Sequence, residues 1–192
     1  MKLLIASDIH GDIDAARAVF DAFLREGCER VLLLGDLLYH GPRNDLPSAY
    51  APKEVIKLLN AHKNEILAVR GNCEAEVDQM VLDFPVLADY AFLSLDGVRI
   101  FATHGHLFHL EHLPPLLPGD ILLHGHTHIP ACEPFGDGNV YLNPGSAALP
   151  KNGFPKSYMV FDSGVFVTKD FDGNVLFTRT AKYDLHCNNS LL

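Results

Sequence analysis

Metal-capable side chains recur along this chain directly after short apolar runs. Seven of them offer a nitrogen or an oxygen atom as a ligand: Asp8, His10, Asp36, Asn72, His104, His126 and His128. Such donors suit borderline or hard divalent ions, for example Mn²⁺, Fe²⁺, Zn²⁺ or Co²⁺. Because seven ligands are too many for one tetrahedral site, the set favours two ions that share a bridging carboxylate.

A pair of such ions about 3.5–4 Å apart would act as a clamp on the attacking and leaving oxygens of an in-line displacement. Two divalent ions against Asp8 and Asp36 leave a local charge of about +2. This charge attracts a phosphate group even though 15 basic and 24 acidic residues give the chain a formal net charge of −9. The acidic balance disfavours a nonspecific binder of nucleic acid or anionic membranes, since those affinities come from Lys and Arg.

The elements that must position these ligands alternate between strand and helix in the first half of the chain. Buried strands are predicted at Lys2 to Ala6, Val31 to Leu34 and Ile66 to Val69, because each is a short apolar run. In an open α/β sheet, ligands bind just beyond the carboxyl ends of the strands. A carboxylate and an imidazole after a single strand suit a solvated turn equally well, so it is the recurrence at several strand ends that favours a site.

Three helices are predicted in the same half. The first runs from a cap at Asp12 or Asp14 to about Glu26 and is ended by a glycine. A second begins at Pro52 and reaches about His62, and a short one spans Glu76 to about Leu82. Residues 37–50 are predicted to form a long loop over the site, because they contain His40, Gly41, Pro42, Asn44, Asp45 and Pro47.

The second half changes to closely spaced strands with tight turns, which predicts a second, more antiparallel sheet. The dipeptide Asp96-Gly97 indicates a hairpin between strands at Ala91 to Leu95 and Val98 to Ala102. Further strands are predicted at Ile121 to Leu123, Ser157 to Phe161, Gly164 to Lys169 and Asn174 to Thr180, and one short helix near His112. The chain is predicted to be one α/β domain over residues 1–192, with two sheets packed face to face, helices outside and an undetermined tail at 181–192.

Composition disfavours several classes of protein. No apolar run approaches the ~20 residues of a membrane span. Ser7 and Asp8 interrupt the opening segment where a signal peptide has its apolar region, so a cytoplasmic protein is expected. The cysteines lie dozens of residues apart with no C-x-x-C pair, which disfavours a disulfide framework or a cysteine zinc site: Cys28, Cys73, Cys132 and Cys187.

Five short motifs resemble, in this order, those of the calcineurin-like metallophosphoesterases: Asp8-x-His10, Gly35-Asp36, Gly71-Asn72, His104-Gly105 and Gly125-His126-Thr127-His128. The resemblance spans residues 3 to 146, and the compact length and Gly-Asn-Cys variant are most similar to the bacterial YfcE-type phosphodiesterases. It implies a four-layer αββα sandwich of two mixed sheets flanked by helices. It implies a small-molecule phosphate ester as substrate, in the first place a diester. From the acidic charge balance and the lack of a long apolar run, we expect no specific nucleic acid partner and no membrane partner. The resemblance leaves open whether the protein forms a homo-oligomer.

The resemblance also implies how the ligands are shared. One ion would be held by Asp8, His10, Asp36 and His128, and the second by Asn72, His104 and His126 together with the bridging Asp36. A hydroxide between the ions, its pKa lowered by coordination, would attack phosphorus. Mn²⁺ is the expected metal, with Zn, Fe, Co, Ni or Mg as alternatives. Phosphomonoesters and nucleotides remain alternative substrates, and a non-catalytic metal-binding scaffold, like the vacuolar protein-sorting subunit of retromer, remains an alternative function.

The chain departs from this family pattern at Cys73. Many members carry a histidine directly after the asparagine, where it can protonate the leaving oxygen. We take Asn72, His104 and Cys73 as the catalytic candidates. A neutral thiol with a pKa of about 8.5 is a poor acid for an alkoxide. We therefore expect either a preference for leaving groups such as aryl oxides or another acid, the alternative being that Cys73 is only a small, partly buried residue.

Other polar residues near the motifs carry weaker expectations. Arg43, in the long loop, can bind phosphate through two hydrogen bonds, although a solvated loop arginine is the alternative. His106 could contact substrate or lie on the surface, and His124 is expected at the end of its strand. Asn143 and Ser146 could help to line the pocket or serve only as turn residues.

Overall fold

The computed structural model describes residues 1–181 of the chain. Its helices are α1 (Ile13–Glu26), α2 (Pro52–Ala61) and α3 (Glu76–Gln79). Its strands are β1 (Leu3–Ala6), β2 (Arg30–Leu33), β3 (Ile66–Ala68), β4 (Tyr90–Leu95), β5 (Val98–Thr103), β6 (Ile121–Leu123), β7 (Ala131–Phe135), β8 (Asn139–Asn143), β9 (Ser157–Asp162), β10 (Val165–Asp170) and β11 (Val175–Thr180). The tail from 182 onward, including Cys187, lies outside the described residues.

The strands form two mixed sheets. In the first, the order is β11-β10-β9-β1-β2-β3, with β1, β2 and β3 parallel and β9 antiparallel to β1. In the second, the order is β4-β5-β6-β8-β7, with β5, β6 and β8 parallel. The predicted fold class, two mixed sheets with flanking helices, is confirmed. Within residues 1–181, none of the helices is long and apolar enough to cross a membrane.

The alternation of side chains along β1 explains the layers. Leu3 and Ile5 belong to the core shared by the two sheets, whereas Leu4 and Ala6 belong to the core beneath α1 and α2. All four side chains are fully buried. A continuous apolar run is what a central strand covered on both faces requires, and this explains why so short a segment predicts a strand.

Helix α1 has the ends that the sequence predicts. The Asp12 carboxylate accepts hydrogen bonds from the backbone N–H groups of Asp14 (2.9 Å) and Ala15 (3.0 Å) at its N-terminus. Gly27 ends the helix with φ of 63°, a conformation that glycine adopts without a steric penalty. The helix therefore starts directly after the first group of predicted ligands.

The prediction that the second half of the chain builds the second sheet is wrong for its last three strands. β9 pairs with β1, and β10 and β11 extend the first sheet from there. Met159 and Phe161 of β9 enter the core between the sheets, whereas Tyr158 and Val160 enter the core beneath the helices. Because β9 is apolar on both faces, it belongs in the sheet that is covered on both faces.

The structure differs from the sequence predictions in two smaller features. β7 and β8 form a hairpin that the apolar pattern does not predict, because Pro134 interrupts β7. A proline is tolerated there since β7 is an edge strand of its sheet. The short helix expected near His112 does not form, and His109 and His112 instead make an isolated antiparallel bridge.

Candidate metal centre

The loops that follow five strands of the two sheets converge at one edge of the sheets. Asp8 and His10 follow β1, Asp36 follows β2, Asn72 follows β3, His104 follows β5, and His126 and His128 follow β6. All seven side chains are linked by contacts of 3.1 to 3.7 Å between their nitrogen and oxygen atoms. Residues separated by as many as 118 positions, such as His10 and His128, therefore meet in one site.

Most of these residues have a backbone conformation that is rare for side chains other than glycine. The φ angles are 59° at Asp8, 50° at His10, 57° at Asp36, 65° at His126 and 61° at His128. A residue held in this region costs on the order of 1–3 kcal/mol and persists only where its surroundings impose it. The strained turns let each strand end sharply and present its polar side chain to the same space.

The first group of candidate ligands consists of Asp8, His10 and His128, all of them buried. Asp8 Oδ1 lies 3.6 Å from His10 Nε2 and 3.3 Å from His128 Nε2. The two imidazole Nε2 atoms lie 3.2 Å from each other. Three potential donors to one ion thus face one another without an intervening side chain.

The second group consists of Asp36, His104 and His126, with Asn72 beside them. His104 Nε2 lies 3.5 Å from Asp36 Oδ2, 3.1 Å from His126 Nδ1 and 3.1 Å from Asn72 Oδ1. The same Asp36 Oδ2 lies 3.7 Å from His10 Nε2 in the first group. Asp36 is therefore the carboxylate that connects the two groups.

Backbone carbonyls orient three of the imidazoles. His10 Nδ1 lies 2.9 Å from the Tyr39 carbonyl oxygen, and His104 Nδ1 lies 2.6 Å from that of Leu34. His128 Nδ1 lies 2.6 Å from the Leu149 carbonyl oxygen. With Nδ1–H donating to a carbonyl, Nε2 keeps its lone pair for a metal, which is the usual arrangement of histidine ligands.

The electrostatics leave both carboxylates ionised. Burial raises the pKa of Asp8, but contacts with the imidazoles of His10 and His128 outweigh it and hold the pKa well below the usual range. Burial likewise opposes ionisation of Asp36, and contact with His104 lowers its pKa overall. Burial and the neighbouring His104 lower the pKa of His126 to about 4, so this imidazole is neutral at pH 7.

One buried atom tests whether a cation fits this site. Asp8 Oδ1 is buried and has no hydrogen-bond partner in the described part of the chain. An ionised carboxylate oxygen left unpaired in the interior is costly, and a bound cation removes that cost. His104 points the same way: burial lowers its pKa, but Asp36 and Asp8 outweigh burial and raise it to about 9, so its proton stands where a metal would bind. The residues therefore fit divalent metal ions.

Glu74 supports the site in a way that its position in the sequence does not indicate. Its buried carboxylate accepts hydrogen bonds from the backbone N–H groups of Asp36 (2.8 Å), Leu37 (2.7 Å) and Gly71 (2.5 Å). It thus ties the loop after β2 to the loop after β3. Burial and the nearby Asp36 raise the pKa of Glu74 to about 7. Only the count of backbone donors around it, which requires coordinates, identifies this role.

Cys73 lies against the connecting carboxylate. Its backbone N–H donates to Asp36 Oδ1 at 2.9 Å, and its Sγ donates to Asp36 Oδ2 at 3.4 Å. Burial and the negative charge of Asp36 raise the pKa of the thiol. Cys73 is half-buried and borders the site, so its position is not that of a residue that only packs. Its thiol is a weaker acid than the thiol of a free cysteine.

A cavity of about 400 Å³ opens beside the ligands. It is lined by Asp36, Asn72, His126 and His128, by Cys73 and Thr127, by residues 41–44, and by Lys151. Small-molecule sites commonly have this size. Arg43 and Lys151 are the basic residues of this lining.

Four other expected residues have roles in packing and bracing. Asn143 and Ser146 are fully buried and do not line the cavity. Asn143 donates to the Gly125 carbonyl oxygen (2.9 Å), and the Ser146 hydroxyl donates to that of Asp8 (2.9 Å), so both hold ligand loops in place. His124 lies at the end of β6, stacked on Tyr141, and His106 is half-buried beside His104.

Comparison with known proteins agrees with this geometry. The model of the calcineurin-like phosphoesterase superfamily domain matches residues 1–164. Phosphodiesterase YfcE of Escherichia coli strain K12 is 48% identical over 165 residues, which cover 86% of this chain and 89% of the relative. A solved structure of E. coli YfcE, titled a phosphoesterase, has a TM-score of 0.91 at 44% identity and covers 95% of this chain and 100% of its own.

A more distant structure shares the fold alone. Vacuolar protein sorting 29 of Cryptosporidium parvum has a TM-score of 0.60 at 20% identity, covering 93% of this chain and 97% of its own. The family match over most of the sequence, the YfcE relationship and the converging metal-capable side chains together confirm the predicted phosphoesterase class. This chain belongs to the calcineurin-like phosphoesterase superfamily.

Proposed function

We propose that this protein hydrolyses small phosphate diesters with two divalent ions, Mn²⁺ in the first place, held by the seven ligands. The observation that carries the proposal is the position of Asp36. Its Oδ2 lies 3.5 Å from His104 Nε2 and 3.7 Å from His10 Nε2, where one carboxylate can serve both groups of ligands. The 48% identity to a protein named as a phosphodiesterase supports a diester as the substrate class.

Each group of ligands would hold one ion. The first ion would be held by Asp8, His10, His128 and Asp36, and the second by Asn72, His104, His126 and Asp36. When bound, the ions would supply positive charge for the phosphate group and would lower the pKa of water, so that hydroxide would be available as a nucleophile near neutral pH. The chain itself supplies orientation, because the carbonyls of Tyr39, Leu34 and Leu149 fix the imidazoles before any ligand arrives.

Cys73 limits the choice of leaving group. It occupies the position beside Asn72 where an acid would protonate the departing oxygen, and its pKa is raised by burial and by Asp36. A group that holds its proton this firmly donates it poorly. We therefore expect aryl esters, whose leaving groups need little protonation, to be hydrolysed faster than alkyl esters.

The test is Mn²⁺-stimulated release of p-nitrophenol from bis(p-nitrophenyl) phosphate. His126→Ala removes a ligand of the second group, and we expect turnover to fall by at least about 100-fold. His62→Ala is the matched control, because His62 stacks on Phe20 at 4.1 Å in the helical layer, and its turnover should equal that of the wild type. Metal content measured on both variants connects the loss of turnover to the loss of an ion.

The same assay separates an enzyme from a scaffold of this fold. Wild-type protein that shows no Mn²⁺-stimulated release above His126→Ala would contradict the proposal and favour the scaffold. Parallel assays with p-nitrophenyl phosphate and with nucleotides determine whether monoesters are hydrolysed as well.

A further inference from the structure

The lining of the cavity includes positive charge that metal binding does not require. Arg43 and Lys151 line the cavity, and both are exposed. Asp36 is the carboxylate among the lining residues, and it belongs to the metal ligands. In a chain of net charge −9, two cationic side chains thus face a space that already attracts anions.

Neither cation is neutralised by the protein. In the described residues, no side-chain hydrogen bond or ion pair engages Arg43 or Lys151. Some basic residues elsewhere are paired, for example Lys156 with Asp12 at 3.5 Å and Lys169 with Glu26 at 2.8 Å. An unpaired guanidinium and an unpaired ammonium that line the same cavity leave their donors for a ligand.

Both residues sit on loops that the metal centre itself holds. The Lys151 N–H donates to the His128 carbonyl oxygen at 3.2 Å, while His128 Nδ1 contacts Leu149 two residues earlier. The loop segment at Lys151 is therefore held to His128 by two hydrogen bonds.

Arg43 lies in a turn that is held in a similar way. The Asn44 N–H bonds the Gly41 carbonyl at 3.4 Å, and the Asn44 amide donates to the His40 carbonyl at 2.8 Å. Gly41 packs so closely on Cys73 that an added Cβ would lie 3.3 Å from its Sγ. Both cations are thus on backbone whose position is tied to the reaction site.

The size and chemistry of the cavity indicate what they bind. A volume of about 400 Å³ exceeds that of one phosphate group, so the cavity has room for a neighbouring group. Beyond the candidate ligands and Cys73, that room is bounded by residues 41–44, Thr127 and Lys151, and none of these described lining residues has an aromatic side chain to stack on a base. A second anionic group therefore suits these lining residues better than an apolar or aromatic group does.

We propose that Arg43 and Lys151 form a subsite for a second anionic group of the substrate. The preferred diester then carries a carboxylate or a phosphate on one of its two ester arms. This inference rests on the proposed function, because the scissile phosphate must lie at the metal ligands for the second anion to reach Arg43 and Lys151.

The experiment measures binding by calorimetry to the Mn²⁺-loaded protein and so needs no turnover. The probes are carboxymethyl phosphate, 2-hydroxyethyl phosphate and ethylene bisphosphate, which share one phosphate and differ in carrying a carboxylate, a hydroxyl or a second phosphate. A charge-assisted contact at a partly exposed site predicts about tenfold tighter binding of the anionic probes than of the hydroxyl probe. The order of the two anionic probes identifies the second group as carboxylate or phosphate.

The variant R43Q/K151Q should bind all three probes with equal affinity, while Lys53→Gln, which removes an exposed lysine on α2, should keep the wild-type preference. Equal affinities in the wild type, or a double variant that weakens all probes equally, would overturn the subsite.

Turnover of bis(p-nitrophenyl) phosphate is measured on the same preparations. No turnover by the wild type would contradict the proposed function. Normal turnover without a preference for the anionic probes would contradict the subsite alone.

Discussion

Individual side chains in this site are set by their immediate partners. The carboxylates of Asp8 and Asp36 stay ionised because imidazoles contact them, although burial opposes their charge. The thiol of Cys73 shows the reverse effect, since burial and the same Asp36 that connects the two groups raise its pKa. One carboxylate therefore both prepares a metal site and weakens the nearest acid.

Replacing that acid gives a direct prediction. The variant Cys73→His should raise the turnover of a dialkyl phosphate relative to bis(p-nitrophenyl) phosphate, because an imidazole can protonate an alkoxide. General acid catalysis contributes about 10²–10⁴-fold, so a rise of at least about tenfold in the alkyl-to-aryl ratio is expected. Chromatographic quantification of both products measures the ratio.

Cys73→Ala is the matched control for this variant, because it removes the thiol without supplying an acid, and its ratio should stay at the wild-type value. A Cys73→His ratio equal to that of Cys73→Ala would show that the position plays no part in protonation.

Helices and strands position the site through a few close contacts. Gly125, between β6 and the ligands His126 and His128, lies so near Ser7 and Asp8 that a Cβ would collide with both side chains. The second sheet thus approaches the end of β1 at a point where only glycine fits. On the other side of β1, α1 is attached to the antiparallel strands, since the Glu26 carboxylate accepts from Tyr158 and from Lys169, each at 2.8 Å.

The contact of Glu26 predicts a pH-dependent stability. Burial raises the pKa of Glu26, but hydrogen bonds from Lys169 and Tyr158 outweigh it, so the folded pKa lies below the unfolded one. Its stabilisation is therefore complete above the unfolded pKa of about 4.3 and is lost as the pH falls through the folded value. Glu26→Gln should lower the free energy of unfolding at pH 7 by about 1–2 kcal/mol, and this deficit should shrink at pH 3.

Urea denaturation of the metal-free protein at both pH values measures the deficit. Glu54→Gln, which alters the exposed pair of Glu54 with Lys57, serves as the control and should change the stability less at pH 7. A Glu26→Gln deficit that is the same at pH 3 and pH 7 would contradict the assigned charge interaction.

At the scale of the whole molecule, the site depends on the packing of one sheet against the other. Asp8, His10, Asp36 and Asn72 follow strands of the first sheet, and the three remaining histidines follow strands of the second. The core between the sheets contains Phe161, which is fully buried and lies 4.7 Å from Phe166 between ring centroids. Loosening this core would separate the two halves of the ligand set.

Phe161→Ala should therefore lower the free energy of unfolding by about 3–5 kcal/mol, as large cavities in cores do. Thermal unfolding measures the change, and loss of metal binding should accompany it at lower temperature than in the wild type. Phe92→Ala makes the same substitution at a side chain that is 54% exposed and should cost less than about 1 kcal/mol. Comparable losses in the two variants would show that the core between the sheets is not the main support.

Local patterns in the chain were enough to predict much of this structure. The Asp12 cap, the Gly27 end and the Asp96-Gly97 turn each depend on neighbouring residues, and each forms as predicted. The candidate ligands could also be named from the sequence, because metal-capable side chains directly follow apolar strands, and their role as ligands stays a prediction.

What required the folded chain was every feature made by residues far apart in sequence. The pairing of β9 with β1, the three backbone donors around Glu74, and the meeting of Arg43 with Lys151 in one cavity have no local signal. The physical reason is that a strand or cap is stabilised by its immediate neighbours, whereas sheet order and a shared pocket are decided by which apolar faces bury each other across more than a hundred residues.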